Sequence, residues 1–227
     1  MPSIFSELCL NYSQAEAELD QFRKWVAENA RFKERAVVRE LKKYDHLCLL
    51  MSFLGTTGQP NLFKHEFELQ GVFRADYVAG SRHTRHFTLV EFEGGEENSL
   101  FGPGSTNQMR DWARQVQHAL GQIVDWSWAL NDAHHSKLLQ NAIGFPEFGK
   151  TYVVVCGLDT TMDDAERSRL AWLNDHCTVS DTEVLFMTFD DLVLHFEGQL
   201  DVYRAAREEA RRELSGANND KSDRENE

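Results

Sequence analysis

LFKHEFELQGVFRADYVAGSRHTRHFTLVEFE, residues 62–93, alternates polar and apolar side chains and is rich in Phe, Val, Tyr and Thr, the pattern of half-buried β-strands. Three runs stand out within it, 62–69, 71–79 and 85–93, divided by short turns such as AGSRH. Consecutive strands joined by such short turns form an antiparallel meander. The reading on either side of this stretch fixes what covers it.

Upstream, apolar residues recur at helical spacing, first Phe22, Val26 and Ala30, then Val37, Leu41, Tyr44, Leu47 and Met51. This predicts helices over 13–30 and 33–54, ended by the turn residues GTTGQPN at 55–61. Downstream, GGEENSLFGPGSTN (94–107) reads as a loop, with Ser105 or Thr106 capping a long helix over 107–131. Met109, Trp112, Val116, Leu120, Ile123 and Leu130 form that helix's apolar stripe, and Gln115, His118, Gln122 and Asp125 its polar one. TYVVVC (151–156) is the near-continuous apolar run of a strand covered on both faces. A helix at 162–174, a strand at 183–188 and a last helix to about 213 follow, and the polar residues after it read as a disordered tail. The expected architecture is an α/β sheet with helices on both faces, divided as 1–60 helical, 61–213 sheet domain and 214–227 tail.

At 227 residues, 41% of them hydrophobic and 27% charged, the chain is long and apolar enough for a globular core. The longest apolar run, HLCLLMSFL at 46–54, is about half the ~20 residues of a membrane span, and MPSIFSELCLNYSQ lacks a signal-peptide pattern. A cytoplasmic protein without membrane partners is expected. Cys9, Cys48, Cys156 and Cys177 lie far apart without a CxxC pair, which excludes a disulfide framework and a structural zinc site. The net charge of −13 argues against nucleic acid on average. Residues 22–43, however, hold eight basic side chains against three acidic ones, Arg39 and Lys43 among them. That segment is either a solvated helix face or a basic surface for a phosphate backbone.

The common phosphate-loop, nucleophile-elbow and zinc-helix motifs are absent. His134 and His135 are adjacent and point different ways, and His83 and His86 read as surface residues of a turn. The unusual feature is acid where a strand should be apolar. In HFTLVEFE, Phe87, Leu89, Glu91 and Glu93 share one face, so the two carboxylates project together ~7 Å apart. Asp76 interrupts the preceding strand and can reach Glu91 across the pair. Such a cluster either holds a hard divalent ion or lies on a solvated edge with Arg74, Arg82 and Arg85 as partners.

RADYV, LVEFE, the helical QVQHALGQIVDWSWAL, TYVVVCG and EVLFMTFDDL, in that order, resemble the nuclease domain of the Shedu anti-phage defence proteins, over residues 60–200. These belong to the PD-(D/E)xK nuclease superfamily. The resemblance implies a restriction-endonuclease-like core and a Mg²⁺-dependent DNA endonuclease acting on phage DNA, with Mn²⁺ able to serve in place of Mg²⁺. Asp76, Glu91 and Glu93 would then hold the metal and Gln122 would back the site. Arg39, Lys43, Arg74, Arg82, Arg85 and His118 would contact DNA, and the protein would be a homo-oligomer. Glu93 stands where most of the superfamily has lysine, giving an ExE element. It supplies either a further ligand or base, or the mark of an inactive nuclease-fold sensor or scaffold. A house-keeping restriction or repair nuclease is a further reading, because fold does not fix biological role.

Overall fold

The computed structural model describes residues 5–56, 58–106, 109–133 and 147–224. Its frame is a seven-stranded sheet in the order β1-β2-β3-β4-β7-β9-β8. The expected meander is present as β2 (Leu62–Leu69), β3 (Phe73–Ser81) and β4 (His86–Phe92), each antiparallel to the next. A short β1 (Ser6–Glu7) extends it beyond β2. The apolar β7 (Gly149–Val155) lies parallel to β4, and β9 (Thr182–Met187) lies parallel to β7. β8 (Thr178–Val179) is an antiparallel edge, so the sheet is mixed.

Helices cover both faces. On one side α4 (Arg114–Ala133) and α5 (Asp164–His176) pack with Phe67, Leu89, Tyr152, Val154 and Phe186. On the other, α1 (Tyr12–Glu28), α2 (Glu34–Leu41), α3 (Asp45–Leu49) and α6 (Phe189–Arg224) pack with Tyr77, Val90, Phe92, Val153 and Val155. The alternation expected of β4 holds: Phe87 and Leu89 face α4, and Val90 and Phe92 face the N-terminal helices. Among the described residues no helix is long and apolar enough to cross a membrane. All four cysteines are free.

Three segments depart from the sequence reading. The single helix expected over 33–54 is α2, α3 and a 3-10 turn, Leu50–Leu54. The break at 42–44 is imposed from outside: the buried Glu18 of α1 accepts the Leu47 N–H at 2.7 Å, so an orphan donor of a new helix start is satisfied from another helix. The loop expected at 94–107 contains β5 (Phe101–Thr106), which pairs with β6 (Met109–Trp112). Met109 and Trp112 therefore belong to a strand, Ser105 and Thr106 lie within β5 rather than at a helix start, and α4 begins seven residues later than expected, at Arg114. Tertiary partners account for the hairpin. Phe101 and Trp112 rings lie 4.5 Å apart under the Arg169 guanidinium, and Arg110 pairs with the buried Glu166 of α5 at 2.5 Å. Finally, α6 continues through residues expected as tail; past Leu200 it buries none of its described side chains, and it is held by the Tyr203 ring stacked on Tyr12, by Arg204 paired with Glu16 at 2.6 Å and by the helix propensity of AAREEARREL.

Candidate metal centre

β4 brings Glu91 and Glu93 to the face covered by α4, where they are 4% and 5% exposed. Ionised carboxylates that deep are costly unless paired or neutralised. The Glu93 N–H donates to Val155 O at 2.9 Å, which continues the line of β4 beside β7. From α4, one turn apart on its polar stripe, Gln122 and His118 reach down to the two acids. The Gln122 amide donates to Glu91 Oε1, His118 Nδ1 lies 3.1 Å from Glu93 Oε1, and Gln122 Nε2 lies 3.4 Å from His118 Nδ1. Glu91 Oε2 is buried with no hydrogen-bond partner among the described residues.

Asp76 arrives differently. The β3–β4 ladder runs only to Tyr77 opposite Val90, and Asp76 Oδ2 then accepts the Phe92 N–H at 3.0 Å in place of a backbone carbonyl. On its other side the β2–β3 ladder skips Glu66 opposite Asp76, because Glu66 takes a left-handed φ of 52°. That conformation costs a non-glycine residue about 1 kcal/mol. Lys42 at 2.8 Å and Arg74 at 3.3 Å hold the Glu66 carboxylate there. The irregularity switches faces along β3, with Ala75 and Val78 toward α4 but Tyr77 and Ala79 toward the other side.

A cleft of about 460 Å³ opens here, lined by Glu34, Glu68, Arg74, Asp76, Glu91, His118 and Gln122 among others. Glu34 is the residue the sequence reading missed. It sits in the first turn of α2, where an acid is ordinary helix chemistry, so nothing local marked it. A close approach brings it in: the Gly95 N–H donates to Phe32 O at 2.8 Å, and a Cβ on Gly95 would stand 2.5 Å from the Phe32 ring.

The electrostatics follow from this crowding. Burial, with Asp76 and Glu93 adding repulsion, pushes the Glu91 carboxyl up to about 9. Burial likewise raises Asp76 to about 6, against the Phe92 amide, which favours its anion. Glu93 is raised by burial and pulled back by His118. Among the described residues neither Glu91 nor Glu93 pairs with an arginine or lysine, so the solvated-edge reading does not describe them.

The structure converges a different trio from the expected one. Ligand atoms of Glu91, Glu93 and His118 all lie within 4.8 Å of one another. Asp76 shares the cleft with Glu91 but stands outside that trio, one oxygen committed to the Phe92 amide. His118, expected at a DNA surface, is thus beside the acids. Among the expected DNA contacts, Arg74 lines the cleft while pairing with Glu66, Arg39 is exposed on α2, and Lys43 pairs with Glu40 at 2.5 Å. Arg82, paired with Glu7, and Arg85 lie in the β3–β4 turn. Five steps along β3 lead from Asp76 to Ser81, so at about 3.3 Å per residue that turn is roughly 17 Å from the acids. His83 is exposed as expected, but His86 is half-buried, its Nε2 3.0 Å from Thr151 Oγ1. Trp126 is fully buried, whereas Trp128 is 60% exposed and meets Phe73 edge-on. His134 and His135 lie outside the described residues.

A mixed α/β sheet whose central strand brings buried carboxylates against an imidazole of the covering helix α4 defines a candidate divalent-cation protein. The donors fit such an ion, since a shielded carboxylate oxygen without a partner is what a cation would satisfy. The chain belongs to the Shedu family: the model described as Shedu protein SduA, C-terminal, matches residues 31–193. That span takes in Glu34 and the whole of α2 and α3, which the resemblance drawn over 60–200 had left outside. No curated protein matches the chain.

Proposed function

We propose that this chain is a divalent-metal-dependent DNA endonuclease with a PD-(D/E)xK-type core, acting in the cytoplasm in defence against phage. The observation that carries the reading is the partnerless, buried Glu91 Oε2 within a cluster of acids lining an open cleft. Membership in the Shedu family supports the defensive role.

Glu91 and Glu93 would hold the ion, with Asp76 and Glu34 adding negative charge nearby. A bound divalent ion supplies phosphate charge neutralisation and an acidified water, the roles that phosphodiester hydrolysis needs. The protein's residues do the rest. Gln122 fixes the Glu91 carboxylate by donating to its Oε1. Water adds to phosphorus as the P–O bond to the leaving oxygen breaks, and the proton it sheds passes to Asp76, which lines the same cleft beside Glu91. Arg74 at the cleft and Arg39 on α2 contact the substrate backbone. Exposed Trp128 and Val124 on α4 offer apolar surface for self-association into a homo-oligomer.

The test is cleavage of supercoiled plasmid by purified protein in Mg²⁺ or Mn²⁺, lost in Glu91→Ala and Asp76→Ala. Equal cutting by both variants overturns the assignment. Glu93 in place of lysine favours one other reading, a nuclease-fold sensor that binds DNA or a phage protein without cutting. Ion binding by a wild-type protein that never cleaves would select it.

A further inference from the structure

We propose that His118 is itself a metal ligand, making the centre a mixed nitrogen and oxygen site that selects a first-row transition ion such as Mn²⁺ over Mg²⁺. The inference rests on the metal-centre reading above and deepens it by naming the ion.

The first support is spacing. Two neighbouring ligands of one octahedral ion with bonds of about 2.1 Å sit about 3.0 Å apart. Glu93 Oε1 and His118 Nδ1 are 3.1 Å apart, and Glu91 completes a set whose atoms all lie within 4.8 Å. The second support is the unsatisfied oxygen. Glu91 is 4% exposed, and its Oε1 takes the Gln122 amide while its Oε2 has no hydrogen-bond partner among the described residues. Solvated acids on a surface do not leave an oxygen in that condition.

The third is how His118 is aimed. α4 holds His118 and Gln122 one turn apart, with Gln122 Nε2 3.4 Å from His118 Nδ1 and also bonded to Glu91. One helix face therefore fixes both the imidazole and the carboxylate it would share an ion with. The ring is still 64% exposed toward the cleft, so an ion can reach it without unfolding anything.

The chemistry of the donors then chooses the ion. Mg²⁺ is strongly hydrated, demands oxygen ligands and gains little from an imidazole, whereas imidazole nitrogen strengthens binding of first-row divalent ions along the Irving–Williams series. Two carboxylates with one imidazole lie between the all-oxygen and the nitrogen-rich extremes, and Mn²⁺ accepts such a set.

The test uses the full chain stripped of metal, titrated calorimetrically with Mn²⁺ and with Mg²⁺, and pulsed EPR of the Mn²⁺-loaded protein. Wild type is expected to bind Mn²⁺ about tenfold more tightly than Mg²⁺ and to show nitrogen hyperfine coupling. His118→Ala should weaken Mn²⁺ about tenfold, move Mg²⁺ by less than about threefold and abolish the coupling. His118→Gln, which can offer an oxygen, should recover binding of both ions but not the coupling. Bound Mn²⁺ without nitrogen coupling, at an affinity equal to that of Mg²⁺, overturns the ligand role and leaves the centre intact. Failure of wild type to bind either ion, or equal binding by Glu91→Gln, overturns the metal centre and this inference with it.

Discussion

Gln122 of α4 donates its side-chain amide to Glu91 of β4, and this single contact ties the helix's polar stripe to the carboxylate that lies deepest in the cleft. The second Glu91 oxygen has no hydrogen-bond partner among the described residues. The behaviour expected of the protein turns on that imbalance.

Gln122→Leu removes the donor while keeping the helix and its volume. Orienting groups of this kind typically change metal affinity or activity 10- to 100-fold, so about a 10-fold loss of both is expected. Calorimetry and plasmid cleavage measure it, and unchanged values would reduce Gln122 to helix surface.

The stability of the metal-free protein should fall as pH rises. Glu91 holds its proton in the folded state to about 9 but in the unfolded chain only to its ordinary value of 4.5. Between those limits the folded state binds the extra proton, so raising pH favours unfolding. Asp76, raised from 3.8 to about 6, adds a loss confined to the acid end of the window. Melting temperatures taken from pH 5 to 9 should decline, the slope should flatten in Glu91→Gln, and a saturating divalent ion should restore stability at high pH. A flat wild-type profile contradicts the burial of that carboxyl.

DNA affinity should separate the two groups of basic residues. Arg39→Glu with Arg74→Glu should weaken binding and flatten the plot of log affinity against log salt, each lost phosphate contact lowering the slope by about 0.9. Arg82→Glu with Arg85→Glu, at the opposite end of β3, should leave the slope unchanged. The reverse pattern, read by fluorescence anisotropy, would put DNA on the other end of the sheet.

Arg110→Ala should destabilise the fold without touching the cleft. It strands Glu166, 4% exposed, which also closes the capping box of α5 with Asp163. Arg110 is 31% exposed, so breaking this half-buried pair costs about 2 kcal/mol, less than the loss of a fully buried one. Urea denaturation followed by circular dichroism checks it, and a loss under about 1 kcal/mol would show the β5–β6 hairpin is held by Phe101 and Trp112 alone.

Much of this architecture could be read from one chain because burial of one face imposes a period on neighbouring residues. Period two gave β2, β3 and β4, and placed Glu91 and Glu93 on the side of Phe87 and Leu89. Period 3.6 gave α4, whose Val116, Ile123 and Leu130 are buried while His118 and Gln122 stand clear of the core. The apolar run of β7 announced a strand covered on both faces.

What tertiary structure alone decided is which distant residues meet. Asp76 is drawn onto the Phe92 amide because Glu66 turns left-handed between Lys42 and Arg74, an event no local pattern encodes. Glu34 reaches the acids because Gly95 lets Phe32 pack close, and residues 109–112 leave the expected helix to pair with 101–106 because Glu166 of α5 claims Arg110 and Arg169 of α5 lies over Phe101 and Trp112. Local periodicity is set by a strong, repeated burial term, whereas these meetings depend on single contacts of about 1 kcal/mol made across the fold.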